Sequence, residues 1–190
     1  MLTTEFRLIA FFVLTSASHC AGAEEPNQEQ VCAQVFCRAP TTFTLRLDEG
    51  TAMDFEVEGI PIAFERDVNL FPGETVKLSV TIEDGEIKSL NYDPETDDVT
   101  EAISVRFSQN DDEPYGMMLV VKNSLKRYLR YKAFMALPDQ DGFIYTSSCP
   151  VGPDMSAFES WPHPISHIIL TNIHFVDVAQ DGGSAELTCE

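Results

Sequence analysis

From residue 41 onward, apolar residues recur at every second position. Phe43, Leu45 and Leu47 alternate with polar residues in "TFTLRL", as do Met53, Phe55 and Val57 in "MDFEVEGI". Successive side chains of a strand point to opposite faces, so this period predicts strands with one buried and one wet side. "TVKLSVTIEDGEIKSLNY" alternates through Val76, Leu78, Val80 and Ile82, turns at Asp84-Gly85, and resumes with Ile87. Leu90 and Tyr92 follow after a change of phase. Alternating runs around Asp-Gly predict a hairpin, because that dipeptide accepts the positive φ angles of a tight turn. "FPG" at residues 71–73 punctuates the chain in the same manner.

"AISVRFSQ" predicts another alternating strand. "GMMLVVKN" and "LRYKAFMAL" flank a polar tip and predict a second hairpin, "GFIYTSS" a short strand, and "ISHIILTNIHFVDV" a long one bent midway. A helix is the alternative over "NSLKRYLRYKAFMAL", where Leu125, Leu129 and Ala133 fall four apart. The β-branched and aromatic neighbours favour strand there. About nine strands with turn signals every 8–12 residues predict an all-β fold, a disulfide-stapled sandwich in one domain over residues 41–190.

The ends place the chain. Residues 1–23 carry an apolar run, Leu8 to Leu14, followed by small residues ending "AGA", the pattern of a secretory signal peptide cut after Ala23. The run is shorter than the roughly 20 residues a bilayer span needs. Lipidation at Cys20, as in an outer-membrane lipoprotein, is the alternative, but His19 stands where a small residue belongs. Residues 24–40 read as a flexible lead-in holding Cys32 and Cys37. A net charge of −19 opposes a nucleic-acid partner through long-range repulsion. No later stretch is long and apolar enough for a transmembrane segment.

The later half carries a resemblance. Met117 and Met118 before Asn123, the "LRYKAFM" strand, "TSSCPV", and "FESWPHPI" leading into the last long strand are similar to features of a family of uncharacterised secreted or periplasmic proteins of Gram-negative bacteria. The likeness covers roughly residues 70 to 176. It implies a periplasmic or secreted location and an immunoglobulin-like sandwich, and it brings no activity, catalytic residue or ligand.

Several constellations bear on chemistry. Behind a signal peptide, Cys32, Cys37, Cys149 and Cys189 imply two disulfides. In extended chain Cys32 and Cys37 would stand about 16 Å apart at Cα, beyond a bridge's reach. "AQVF" between them holds no turn residue, so each is expected to pair with a distant cysteine, Cys149 or Cys189. His163, His167 and His174 invite a metal reading. The odd spacing of His167 and His174 sends them to opposite faces of a regular strand, though a bulge could reunite them. Acidic turns ("EDGE", "DPETDD", "QNDDEP", "PDQDG") offer oxygen ligands for calcium, but the nearest EF-hand-like run has Asp98 in place of its glycine and Ser104 at position twelve.

Positive charge concentrates in one place. Lys122, Lys126, Arg127, Arg130 and Lys132 supply five of the twelve basic residues. They form a candidate surface for an envelope protein or an anionic envelope component; the plainer reading is a guarded hairpin edge. Trp161, the lone tryptophan, is a candidate anchor if exposed and a core cap if buried. The chain contains no G-x-S-x-G elbow, H-E-x-x-H or phosphate-binding glycine motif, and nothing calls for a cofactor. The expectation is a non-enzymatic extracytoplasmic binding or accessory protein of the bacterial envelope. Alternatives are a calcium-stabilised surface module or a hydrolase using Ser147 and His163.

Overall fold

The computed structural model describes residues 28–95, 102–112, 115–176 and 188–189. The signal-peptide region with Cys20, Asp177 and parts of the "DPETDD" and "QNDDEP" loops lie outside these residues. A single helical turn, α1 (Gln28–Cys32), precedes the strands β1 (Thr41–Asp48), β2 (Thr51–Val57), β3 (Ala63–Phe64), β4 (Asp67–Leu70), β5 (Thr75–Glu83), β6 (Glu86–Tyr92), β7 (Ala102–Gln109), β8 (Met117–Asn123), β9 (Tyr128–Ala136), β10 (Ile144–Thr146), β11 (Met155–Trp161) and β12 (His167–Val176).

Two five-stranded antiparallel sheets, ordered β10-β9-β12-β4-β3 and β11-β8-β7-β5-β6, form a sandwich, with β1 and β2 as a separate hairpin. The alternating positions of both sheets meet in one core. Val68, Leu70, Leu129, Ala133, Ile168 and Leu170 come from the first sheet, and Val76, Leu78, Ile103, Val105, Phe107 and Leu119 from the second. The β1–β2 hairpin adds Leu45 and Phe55 to this core. It is fastened to the second sheet where the Arg46 N–H donates to Gln109 Oε1 and Gln109 Nε2 donates back to the Arg46 carbonyl.

The predicted β5–β6 hairpin forms, with Asp84 and Gly85 at φ angles of 52° and 80°. A register shift at Thr81/Ile82 accounts for the change of phase read from the sequence, exposing Ile82 while Ile87 is buried. The second predicted hairpin does not form. β8 pairs with β7 and β11, whereas β9 pairs with β12 and β10, so the connection is an arch crossing from one sheet to the other. Asn123 holds that arch. Its buried amide donates to the carbonyls of Arg127, Val151 and Gly152, and its Oδ1 accepts from the Leu125 N–H. An apolar residue there would take a donor from each of those carbonyls and the acceptor from the Leu125 N–H, which is why β8 ends in a polar residue that is fully buried.

The cysteines pair differently from the expectation. Cys32 bonds Cys37 and Cys149 bonds Cys189, with Cα separations of 5.4 and 4.1 Å. The extended chain assumed between Cys32 and Cys37 is instead coiled: Ala33 and Val35 donate to the carbonyls of Glu29 and Val31, shortening the path without a glycine or proline. Two disulfides point to an oxidising, extracytoplasmic compartment.

The lead-in is fastened to the domain by Arg38. This residue is 6% exposed, and all five guanidinium N–H groups are used. Nε and Nη2 grip Glu74 at 2.6 and 2.7 Å, Nη1 donates to the carbonyls of Ile60 and Pro61, and Nη2 also donates to the Asn69 carbonyl.

Candidate functional site

The basic run is contiguous in sequence and divided in space. The β8–β9 arch sends Lys122 to the outer face of the second sheet and Arg130 and Lys132 to the first. At the arch, Lys126 pairs with Asp154 at 2.7 Å. Arg127 lies 4.3 Å over the Phe175 ring, donates to the Gly85 carbonyl and reaches Glu86 at 3.9 Å. Arg130 donates to the Thr188 carbonyl. Only Lys122 and Lys132 of the five project as exposed lysines from the faces of the sheets.

Trp161 sits at the end of β11, half-buried against the core, and its Nε1–H donates to Thr146 Oγ1 on β10 at 2.9 Å. It ties one edge of the sandwich across from sheet to sheet. "TSSCPV" and "FESWPHPI" meet there: the Cys149 N–H also donates to Glu159. Burial pushes the Glu159 carboxyl upward from its ordinary range, against the downward pull of that N–H. Ser148 is spent on the Tyr131 carbonyl, and burial raises the Tyr131 hydroxyl. Ser147 is exposed, and His163 Nδ1 lies 3.4 Å from the Pro164 carbonyl, so no hydrogen bond among the described residues couples the two expected hydrolase residues.

A register shift in β12 between Thr171 and His174, with Asn172 at a φ of 52°, inverts the alternation. The bulge therefore returns His167 and His174 to the same side of the strand, correcting the opposite-face expectation. The two remain about 20 Å apart along the strand, far beyond a shared metal ion. His167 is 1% exposed, stacked on Phe71 and met edge-on by Phe143. Because Asn69 Nδ2 donates to the Pro61 carbonyl, its Oδ1 faces His167, whose Nε2 donates to it at 3.1 Å. Nδ1 then carries a bare lone pair without a partner among the described residues. Burial, then the nearby Arg38 charge, lower the His167 pKa to about 3, so the ring is neutral. Among the described residues, no three His, Cys, Asp or Glu side chains cluster as metal ligands.

A different surface stands out. On the outer face of the second sheet, cross-strand pairing lays the side chains in rows. Lys77, Ser104, Lys122 and Ser156 form one, and Thr75, Arg106, Val120 and Phe158 the next. Ser108, Met118 and Ser160 form a third, and Ser79 and Thr81 face Asn91 and Ser89 on the other side. The chain has 31 acidic residues, yet none occupies an outward position of β7, β8 or β11; on the β5–β6 side Glu83 faces Glu86 and Asp93 lies beside Lys77. Arg106 and Lys122 are exposed and make no ion pair among the described residues, and Phe158 is 69% exposed. A shallow depression of about 500 Å³ closes one end, where Arg106, Ser108 and Met118 meet Asp111 and Asp112.

Of this face, only Lys122 was a sequence candidate. Arg106, Phe158 and the serines lie on alternating positions of "SVRFS" and "MSAFES" that the period assigns to an outer face, but the period does not say that these strands share a sheet. No helix among the described residues is long and apolar enough to cross a membrane. Comparison with protein-family models, curated proteins and solved structures finds no match for this chain.

Proposed function

We propose that this chain is a non-enzymatic binding protein of the bacterial envelope, exported to the periplasm or beyond, whose ligand is an anionic glycan. The outer face of β7, β8 and β11, whose outward positions hold no carboxylate, carries this reading. A protein of charge −19 repels anions over most of its surface, so a face bearing Arg106 and Lys122 and lacking carboxylates is where a polyanion can approach. The serine and threonine hydroxyls offer donors and acceptors suited to sugar hydroxyls. Phe158 provides an exposed ring against which the apolar face of a sugar can lie. The face is broad and open, which suits a polymer better than a small metabolite held in a cavity. The signal-like amino terminus and the disulfides support export, and the resemblance in the later half supports a Gram-negative envelope.

The test is calorimetric titration with an anionic polysaccharide, polygalacturonate, against neutral dextran. The wild-type protein binds polygalacturonate at low salt and dextran at least tenfold more weakly. Arg106→Ser with Lys122→Ser lowers affinity for polygalacturonate about tenfold or more, while Lys132→Ser on the opposite face does not. Equal binding by the double variant, or no binding by the wild type, removes the reading.

A further inference from the structure

We infer that β11 is a self-pairing edge through which two copies of this chain join their second sheets into one continuous sheet. An open edge presents unpaired backbone groups and is ordinarily kept short, charged or bulged. The other edges follow that rule. β3 and β10 have two and three residues. β6 carries Glu86 and Lys88, is bulged at Lys88, and has its Leu90 N–H taken by the Glu65 carbonyl. The free hairpin strands carry Arg46, Asp54 and Glu56.

β11 follows none of it. Among the described residues, its seven residues pair in unbroken register with β8 alone, without proline or lysine. Its one charge, Glu159, is partly buried and accepts from the Cys149 N–H. Its outward side chains read Ser156, Phe158, Ser160, symmetric about Phe158. An antiparallel two-fold centred there sets Phe158 against its own copy and Ser156 against Ser160, with no like charges opposed. That is the self-complementarity an isologous interface requires, and it selects a second copy as the occupant. Two rings of which 69% is now in water cover each other. The pairing also joins the outer faces of β7, β8 and β11 from two copies edge to edge, so the partner contributes its own Phe158, Arg106 and Lys122 to one doubled surface. That consequence rests on the glycan reading; the pairing itself does not.

Salt separates the two. Both copies carry −19, so screening strengthens self-association, whereas it weakens glycan binding. Sedimentation equilibrium of the chain from Glu24 is expected to show two-chain mass at tens of micromolar in about 0.3 M NaCl, with weaker association near 0.01 M. Phe158→Lys and Phe158→Glu are each expected to sediment as single folded chains, and their equal mixture to regain the two-chain mass. Ser156→Lys, on an exposed position, is a second variant expected to remain single. A wild-type protein that stays single at several hundred micromolar, or variants that associate as the wild type does, overturns the inference. A dimer that ignores polygalacturonate leaves the pairing standing and removes the glycan reading. A single chain that binds it does the reverse.

Discussion

Acid should unfold this protein through His167, and the size of the effect follows from its surroundings. The ring is neutral in the fold, with its pKa lowered to about 3 by burial and by Arg38, against 6.5 for an ordinary histidine. Between those values the unfolded chain binds a proton that the fold refuses, so stability is present above pH 6.5 and is lost as pH falls toward 3. One proton corresponds to about 1.4 kcal/mol per pH unit, so the loss from pH 7 to pH 4 is about 3 kcal/mol. That is a large share of the roughly 5–15 kcal/mol of a typical domain. The comparison protein is His167→Gln, whose amide can still donate to Asn69 but does not titrate. Burial pushes the Asp67 and Glu159 carboxyls upward, which favours the fold at acid pH, but both proteins share that contribution. Urea unfolding at pH 7, 5.5 and 4, followed by the fluorescence of the single tryptophan, reads both stabilities. The variant starts less stable because it loses the stacking on Phe71, and the gap should narrow by about 3 kcal/mol as pH falls. Curves that stay parallel from pH 7 to pH 4 would refute the neutral, desolvated histidine.

Three further outcomes rest on separate features. Arg38→Met should cost about 3–5 kcal/mol in urea unfolding, because it removes the cationic partner of the part-buried Glu74 and one donor from each of three carbonyls. Replacing Cys149 and Cys189 with serine should cost about 4 kcal/mol, and replacing Cys32 and Cys37 about 2, since the chain-entropy contribution grows with the loop, here 40 against 5 residues of separation. Differential melting of the two double variants checks the order. Asn123→Ala should cost about 2–3 kcal/mol by removing the amide that donates to the arch carbonyls and accepts from the Leu125 N–H, and hydrogen exchange at that N–H should quicken.

The strands themselves were legible because their period is a local property. Phe43 to Leu47, Val76 to Ile82 and the residues of β7 each declare an inner and an outer side within a few positions. The Asp84-Gly85 hairpin was legible for the same reason, since a two-residue turn brings its own strands together. Pairing between distant segments was not. The tip between β8 and β9 looks like a hairpin turn, but the buried Asn123 amide spends its donors on the arch and on the carbonyls of Val151 and Gly152, and the strands part to opposite sheets. That one divergence dispersed the basic run and moved the interest to Arg106 and Phe158.

What the sequence determined by itself was the all-β class, the outer and inner positions of the strands without a bulge, the two-disulfide count and the acidic composition. The tertiary structure decided which cysteines bond, that the lead-in is clamped by Arg38, and that serines from β7 and β11 share one outer face with Arg106, Lys122 and Phe158. The division has a physical cause. Alternation and turn chemistry act between residues a few positions apart, whereas sheet order is chosen by burial and backbone hydrogen bonding among segments that only the folded chain brings together.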